Sequence, residues 1–313
     1  MKKLLALVLV SLMLLSMTTF AMAEGTLVGN PADEYYMVTF LSGIDYWKTC
    51  FAGMEDAAKL LGVTAKYTGQ TDADVAGQVA VLEQVIAQSP KGITLTCVNS
   101  IAFADTINAA IEQGISVVTF DSDSPTSNRT SYLSTGNEDA GKSAAEFLAP
   151  LVGNKGKIGV LYTVGAENTE ARVKGFTAWC AENAPEIELV LVNDAGDTTQ
   201  AVDNMTAALQ ANDDIVGVFC VDGIAGTAGP TAVKESGKDI KVLAFDVDKT
   251  VLDMIKTGEI SATVAQGQYN MGFWSMMFLY AEANGLSASN LPGYVDTGVT
   301  IVTAETVDNY YAK

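Results

Sequence analysis

Two aspartates occupy equivalent places in a short apolar phrase that occurs twice in the chain. Asp121 follows Val117-Val118-Thr119-Phe120, and Asp246 follows Val242-Leu243-Ala244-Phe245. Such apolar runs predict buried strands, so each carboxylate stands at the end of a strand. The two oxygens of a carboxylate can accept hydrogens from hydroxyls on neighbouring carbons of a sugar ring. Both aspartates are therefore candidate ligand-binding residues.

Further echoes accompany the two phrases. Gly53 matches Gly175, and Cys97-Val98-Asn99 matches Cys220-Val221-Asp222, at nearly the same separation along the chain. Repetition at a constant offset indicates two similar structural units. In open α/β sheets ligands bind beyond the carboxyl ends of the strands, so two facing units would direct both repeated aspartates into one cleft. The alternative is an Asx turn or a helix cap, which is favoured for Asp248.

An aromatic pair lies in the turn between the first predicted strand and the first predicted helix. This turn contains Tyr46 and Trp47. An indole face can stack on the C–H face of a pyranose ring and exclude water from it. The alternative is a tryptophan packed against the sheet, but strand-to-helix turns usually lie at the surface. We therefore predict that Trp47 is the stacking residue and that Tyr46 lies beside it.

Basic and amide side chains complete the set of candidates. Arg172 stands early in the first helix of the second half, where its guanidinium could donate forked hydrogen bonds to hydroxyls, or form a surface salt bridge. Arg129 is a similar candidate in the acidic loop that also contains Asp123. Gln266 and Asp222 each end a predicted strand, and could bind a ligand or the backbone of a turn.

Short apolar strands alternate with helical stretches nearly throughout the chain. The predicted strands are 35–41, 63–68, 92–98, 117–121, 157–162, 187–192, 216–221, 242–245 and 261–265. The predicted helices are 46–61, 75–88, 101–112, 138–151, 170–182, 201–211, 225–235 and 249–256. This alternation is typical of a parallel sheet covered by helices on both faces. The sequence predicts an α/β fold of two similar, doubly wound parallel-sheet domains, with a joint at Ser134–Asn137.

Composition and missing motifs exclude several functions. The formal net charge is -19 and the chain contains no histidine. An acidic surface repels phosphate backbones, so no nucleic acid is expected as a partner. Without histidine there is no Ser-His-Asp triad and no His-ligated zinc. The glycine-rich nucleotide motifs, the GxSxG elbow and the EF-hand pattern are also absent. We therefore predict a binding protein and not an enzyme, with no catalytic residue, cofactor or metal.

The first residues predict export. Lys2-Lys3 precedes an apolar run from Leu4 to Met17, and Ala21-Met22-Ala23 fits a cleavage site. The run is shorter than the roughly 20 residues of a membrane-spanning helix, so 1–23 is predicted to be a cleaved signal peptide. No membrane insertion is expected after cleavage.

Four cysteines are spread over the rest of the chain, and buried free thiols are the favoured interpretation. Because an exported protein can also form disulfides, their pairing stays open.

Taken together, these residues resemble a known family. The most specific segments are Tyr46-Trp47, Val118–Pro125, Arg172–Phe176, Phe245-Asp246 and Ala262–Gln266. They are similar to segments of the sugar-binding proteins of bacterial ABC importers, in the ribose- and glucose/xylose-binding group of type I periplasmic binding proteins. The likeness covers 35–303.

This resemblance implies domains, a site and a function. It implies two domains joined by three hinge strands: 24–136 with 267–297, and 137–266 with 298–313. The sugar contacts that it implies are Tyr46, Trp47, Asp121, Arg172, Asp222, Asp246 and Gln266. It also implies capture of a small sugar in the periplasm and delivery to a membrane permease. Sugar sensing for a chemoreceptor or histidine kinase is the alternative, and an exported carbohydrate hydrolase is a further one.

Three departures bear on which sugar is bound. Ser122 stands where ribose binders have arginine, Ile44 where they have asparagine, and Asp222 where they have another asparagine. Ribose itself is therefore not favoured. A hexose, a pentose, a polyol or an amino sugar each stays open.

Overall fold

The computed structural model describes residues 29–286 and 291–310. The predicted signal peptide, 1–23, lies outside the described residues. The strands are β1 (Glu34–Thr39), β2 (Thr64–Gly69), β3 (Gly92–Leu95), β4 (Ser116–Phe120), β5 (Tyr132–Ser134), β6 (Lys155–Tyr162), β7 (Glu186–Asn193), β8 (Ile215–Cys220), β9 (Lys241–Phe245), β10 (Ala262–Gln266), β11 (Tyr294–Asp296) and β12 (Val299–Thr303). The helices are α1 (Asp45–Leu61), α2 (Val75–Ile86), α3 (Ala104–Glu112), α4 (Asn137–Leu151), α5 (Glu167–Asn183), α6 (Thr198–Ala211), α7 (Gly223–Ser236), α8 (Lys249–Thr257) and α9 (Gln268–Ala283). A short 3₁₀ helix, Val307–Tyr310, follows β12.

The strands form two six-stranded sheets with matching order. The first sheet has the order β11-β5-β4-β3-β1-β2, and the second has β12-β10-β9-β8-β6-β7. All neighbours are parallel except β12, which runs antiparallel to β10. The central strands are almost fully buried because helices cover both faces of each sheet. The predicted fold class, two similar parallel-sheet α/β units, is confirmed.

The chain passes between the sheets three times. It leaves the first sheet after β5, returns after β10, and leaves it again between β11 and β12. Because α9 packs on α1 and β4, the segment after β10 belongs with the first sheet. Likewise α4 packs on α5 and on strands of the second sheet. The sequence-predicted joint at Ser134–Asn137 coincides with the first of these crossings, while the predicted domain boundaries stay a prediction.

In each unit two helices cross at a pair of glycines. A Cβ on Gly53 would overlap the carbonyl oxygen of Tyr269 on α9, and one on Gly272 would overlap that of Cys50 on α1. In the second unit, Gly141 on α4 and Gly175 on α5 meet the opposing backbone in the same way. Glycine is required here because the helix backbones touch. This close packing explains why Gly53 and Gly175 echo one another in the sequence.

Candidate functional site

The two repeated aspartates adopt the same unusual backbone conformation. Asp121 has φ of 59° and Asp246 has φ of 68°. The Asp121 N–H donates to the Leu133 carbonyl at 3.0 Å, and the Asp246 N–H donates to the Val264 carbonyl at 2.9 Å. Left-handed φ values are uncommon outside glycine, and such residues cluster at functional sites. The repeated sequence therefore has a repeated backbone conformation, with one left-handed turn at the end of β4 and one at the end of β9.

Hydroxyl groups from the neighbouring strand hold both turns. The Asp121 carbonyl accepts from Tyr132 Oη at 2.6 Å and from Ser134 Oγ at 3.1 Å. The Asp246 carbonyl accepts from Thr263 Oγ1 at 2.6 Å. Because the carbonyls are fixed, the orientation of each turn is set by the sheet rather than by a mobile loop.

Tyr46 positions the first carboxylate. Its hydroxyl donates to Asp121 Oδ1 at 2.7 Å, and Ser122 Oγ donates to Oδ2 at 3.1 Å. Burial raises the pKa of Asp121 above its usual value, and the hydrogen bond from Tyr46 opposes this effect. Burial also raises the pKa of Tyr46 well above its usual value, so this tyrosine stays neutral and keeps its donor.

Arg172 lies on α5 in the second unit, and only 3% of it is exposed. Nε donates to Asn137 Oδ1 at 2.9 Å, and Nη1 donates to the Val221 carbonyl at 3.0 Å. Nη2 donates to Gln266 Oε1 at 3.3 Å. The guanidinium carbon lies 3.9 Å from the centroid of the Phe245 ring, a cation–π geometry. Arg172 is therefore held rigidly by its neighbours.

One cation acts on carboxylates from both units. Burial raises the pKa of Asp246, and the charge of Arg172 is the largest opposing effect. The same guanidinium lowers the pKa of Asp121 against the effect of burial there. Burial lowers the pKa of Arg172 itself, and Asp246 and Asp121 both oppose that change. Opposite charges favour each other's ionised forms, so the site couples one acid from each unit to a single arginine.

Gln266 connects this charge cluster to the first chain crossing. Its Nε2 donates to Asp246 Oδ1 at 2.7 Å. Its Oε1 accepts from Thr135 Oγ1 at 2.8 Å, in addition to Arg172. Thr135 lies directly after β5, where the chain leaves the first unit. The amide thus touches both the candidate site and the segment in which the chain first passes between the units.

A cavity of about 620 Å³ lies between the units at this point. Its lining includes Asp121 and Asp123 from the first unit, and Arg172, Asn168 and Gln266 from the second. Ligand pockets for small molecules have volumes of roughly 300–1,000 Å³. The cavity is therefore large enough for a monosaccharide with several waters.

Asp123 and Arg129 are paired with each other. Asp123 Oδ1 accepts from Arg129 Nε at 2.6 Å and also from Thr119 Oγ1 and the Ser124 N–H, while Oδ2 accepts from Arg129 Nη2. Arg129 Nη1 donates to the Gly293 carbonyl at 3.2 Å. Both charged groups hold the loop after β4 against the segment before β11. These protein partners already occupy both charged groups. Contact of Asp123 and Arg129 with a ligand stays a prediction.

Asp222 acts as the N-cap of α7. Its Oδ1 accepts from the Ala225 N–H at 2.9 Å, and its Oδ2 accepts from the Thr163 N–H at 3.3 Å. This is the turn-stabilising alternative that the sequence left open. Burial is the main cause that raises the pKa of Asp222 to about 6, and the nearby charge of Asp194 adds to it. A direct contact between Asp222 and a ligand stays a prediction.

Trp47 is packed in the core of the first unit, with 3% of its surface exposed. Its ring lies edge-on to Phe40, Tyr46 and Phe120, with centroid distances of 5.5, 4.7 and 5.7 Å. This burial is the packing alternative, and it differs from the expected indole face at the cleft mouth. Stacking of Trp47 on a sugar stays a prediction, whereas Tyr46 does reach the candidate site through Asp121.

Sequence reasoning missed the residues that hold the site from the crossing segment. Asn137 and Thr135 bond Arg172 and Gln266 respectively, yet neither was a candidate. A usable signal was present, since both lie within the predicted joint. Polar side chains in a hinge segment can be read as positioning residues once the joint is located.

The four cysteines are buried and free. Among the helices in 29–286 and 291–310, none combines the length and apolar character needed to cross a membrane. Within those same ranges, no three Cys, Asp or Glu side chains come together in a way that could hold a metal ion.

Comparison with known proteins assigns the family. The model of the periplasmic binding protein domain matches residues 35–287. The chain belongs to this family. The structure of AraP, an arabinose binding protein from Geobacillus stearothermophilus, is similar to this periplasmic binding protein with a TM-score of 0.87 and 41% identity, covering 90% of this chain and 100% of that chain.

Two further relatives agree with this assignment. The structure of a sugar-binding protein of a sugar ABC transporter from Bacillus halodurans has a TM-score of 0.85 and 39% identity, covering 89% of this chain and 100% of that one. The D-allose-binding periplasmic protein of Escherichia coli (strain K12) is 27% identical over 283 residues, which are 84% of this chain and 91% of that protein. The family expected from the resemblance is confirmed.

Proposed function

We propose that this periplasmic binding protein captures a small sugar in the cleft between its two units and delivers it to the membrane permease of an ABC importer. The observation that carries the proposal is the pair of left-handed turns: Asp121 lines the cavity, Asp246 accepts from the lining residue Gln266, and the charge of Arg172 acts on both carboxyls. Carboxylates accept from vicinal hydroxyls, and a guanidinium donates to them. The sugar-binding relatives named above support the same conclusion.

Charge narrows the class of ligand. Asp121 and Asp246 outnumber the single guanidinium of Arg172, so the site is acceptor-rich. A neutral monosaccharide or polyol supplies hydroxyl donors to these acceptors, and an amino sugar supplies a cationic donor. A sugar acid or a sugar phosphate would place a further negative charge beside two carboxylates, which is unfavourable at close range. We therefore propose a neutral or amino monosaccharide as the ligand.

Binding is proposed to proceed by closure. A ligand that touches Asp121 on one unit and Asp246 and Arg172 on the other has its full set of contacts only when the units are close. Its differential affinity shifts the hinge equilibrium toward the closed form. The domains take the boundaries predicted from the sequence, with the three chain crossings as the hinge. Chemistry on the ligand is not required for this cycle.

Export to the periplasm and transport complete the proposal. The mature chain would begin after Ala23, as the first residues predict. Calorimetric titration with monosaccharides tests the ligand claim, and an amino acid series is the control. Binding of the sugar-loaded protein to the purified permease separates transport from sensing, because a sensor would instead bind a receptor or kinase domain.

Replacing Thr135 by valine is expected to weaken sugar binding roughly 3- to 10-fold. The substitution keeps the shape of the side chain but removes the hydroxyl that donates to Gln266 Oε1 at 2.8 Å. A net hydrogen bond is worth about 1 kcal/mol, and Gln266 would be free to leave Asp246. Calorimetry with arabinose, allose and ribose measures the change on the sugar that binds most tightly.

Thr297 provides the matched control for this test. It lies in the third crossing, and its hydroxyl is buried without a hydrogen-bond partner. Thr297→Val should leave the affinity unchanged, while Thr135→Ser should restore it because serine keeps the donor. Equal affinities for T135V and wild type would show that the Thr135–Gln266 bond does not support the site.

A further inference from the structure

A second aspartate, Asp194, lies near Asp222 and is completely buried. Asp194 follows β7, and 0% of it is exposed. The hydroxyl of Thr163, which follows β6, lies between the two acids. Thr163 Oγ1 is 2.7 Å from Asp194 Oδ1 and 3.1 Å from Asp222 Oδ2. The ends of three strands thus bring two carboxyl groups to one hydroxyl.

The number of available hydrogens favours an additional proton in this arrangement. A threonine hydroxyl has one hydrogen and can donate it to one carboxylate. If both acids were ionised, the other contact would set an oxygen lone pair against a carboxylate oxygen. A protonated carboxyl removes the conflict, because it can itself donate to Oγ1. The Thr163 N–H donates to Asp222 Oδ2, so it provides no hydrogen for Asp194.

The remaining oxygen of Asp194 leads to the same conclusion. Oδ1 is already shared between Thr163 and the Gly196 N–H, which donates at 2.8 Å. Oδ2 is buried and has no hydrogen-bond partner. A buried charged oxygen without a partner carries a large desolvation cost. A proton on Asp222 that is shared with Asp194 lowers that cost.

The surrounding groups do not neutralise the pair. The charged and titratable groups that act on it are Arg172 from α5 and the Cys220 thiol from β8. Arg172 is already engaged by Asp246 and Asp121. The Cys220 pKa is raised, first by burial and then by Asp222, so the thiol is neutral and supplies no positive charge.

We propose that Asp194 and Asp222 hold one proton between them beside Thr163, and that Asp194 thereby sets the charge of Asp222, the residue next to the Val221 carbonyl that binds Arg172. Asp194 is a positioning residue, since it acts through Thr163 and Asp222. While the proton is held, Asp222 is neutral and leaves Arg172 to Asp246, Asp121 and the ligand. When the proton is lost, Asp222 becomes an additional anion that competes for the same guanidinium.

An infrared titration of the sugar-free protein tests the shared proton. Relative to Asp222→Asn, whose spectrum subtracts the other buried carboxyls, the wild type should show absorption of a protonated carboxyl that disappears on raising the pH, with a midpoint near 6. Asp194→Asn should move this midpoint to lower pH, because the neighbouring charge no longer holds the proton on Asp222. Asp197→Asn is the matched control: Asp197 is exposed in the same loop and caps α6 through the Gln200 N–H, so D197N should keep the component.

A hydroxyl series and a sugar titration complete the test. Thr163→Val should shift the midpoint and Thr163→Ser should restore it. The second arm, which rests on the proposed function, uses arabinose: wild-type affinity should fall roughly 3-fold or more between pH 5.5 and 7.5, and D194N should be nearly flat over that range. If D194N keeps the component with the wild-type midpoint, the shared proton is disproved whatever sugar binds. If the component behaves as expected but no monosaccharide binds, the proposed function is wrong while the shared proton is supported.

Discussion

Replacing Arg172 by methionine is expected to lower sugar affinity by about 100-fold or more while the protein still folds. Methionine keeps much of the apolar packing against Phe245 but removes the guanidinium that acts on both Asp121 and Asp246. Leaving a buried charge without its partner costs about 3–5 kcal/mol, and each 1.4 kcal/mol is tenfold in affinity. Calorimetry measures the affinity, and urea unfolding monitored by circular dichroism confirms that the fold is kept.

Lys174 gives a control on the same helix. Its ammonium pairs with Glu138 and its side chain is 69% exposed, so Lys174→Met should leave the affinity unchanged. Arg172→Lys keeps the charge but loses the fork that reaches Asn137, Val221 and Gln266, and should bind with intermediate affinity. Sugar binding by R172M within 3-fold of wild type would remove Arg172 from the site.

Replacing Gly272 by alanine is expected to destabilise the protein by about 3 kcal/mol or more, or to prevent folding. The new methyl group would overlap the Cys50 carbonyl on α1, so the two helices would have to separate. Overpacking a core usually costs about 1–3 kcal/mol, and more when backbone must move. The free energy of unfolding from urea denaturation measures the effect.

Gly43 offers a matched control in an exposed turn. No atom lies within 4 Å of the position that a Cβ would take there. Gly43→Ala should therefore change the free energy of unfolding by less than about 0.5 kcal/mol. Gly141→Ala, at the equivalent crossing of the second unit, should resemble G272A. If G272A and G141A were as stable as G43A, the close helix crossings would not be structural requirements of the two units.

Much of the fold follows from local sequence signals. The first helix was predicted at 46–61 and is found at Asp45–Leu61, where Gly62 ends it in a left-handed conformation. The elements for which no range was predicted are β5, β11, β12 and α9. The short strands carry little pattern of their own, and β11 pairs with β5 across a long stretch of chain. In α9 apolar residues occur on most sides, because the helix packs on both α1 and the sheet, so no single periodic stripe marks it.

The sequence indicated candidate side chains at the strand ends, but not which of them hydrogen-bond or pack together. Asp121 and Gln266, which were both predicted at strand ends, line one cavity. Which neighbour satisfies each polar group depends on tertiary packing. Arg129 is an example, since one of its hydrogen-bond acceptors, the Gly293 carbonyl, comes from a distant part of the chain. Trp47 is another, because three aromatic side chains of the folded unit surround it.

We expect one monosaccharide to bind between Asp121 and Asp246. Calorimetric titration of the wild type with pentoses, hexoses, cyclitols, amino sugars, sugar acids and amino acids tests it most directly. We predict saturable 1:1 binding of at least one neutral or amino monosaccharide, with much weaker binding of the sugar acids, and loss of that binding in Asp246→Ala. Tight binding of an amino acid with no response to any sugar would contradict the account.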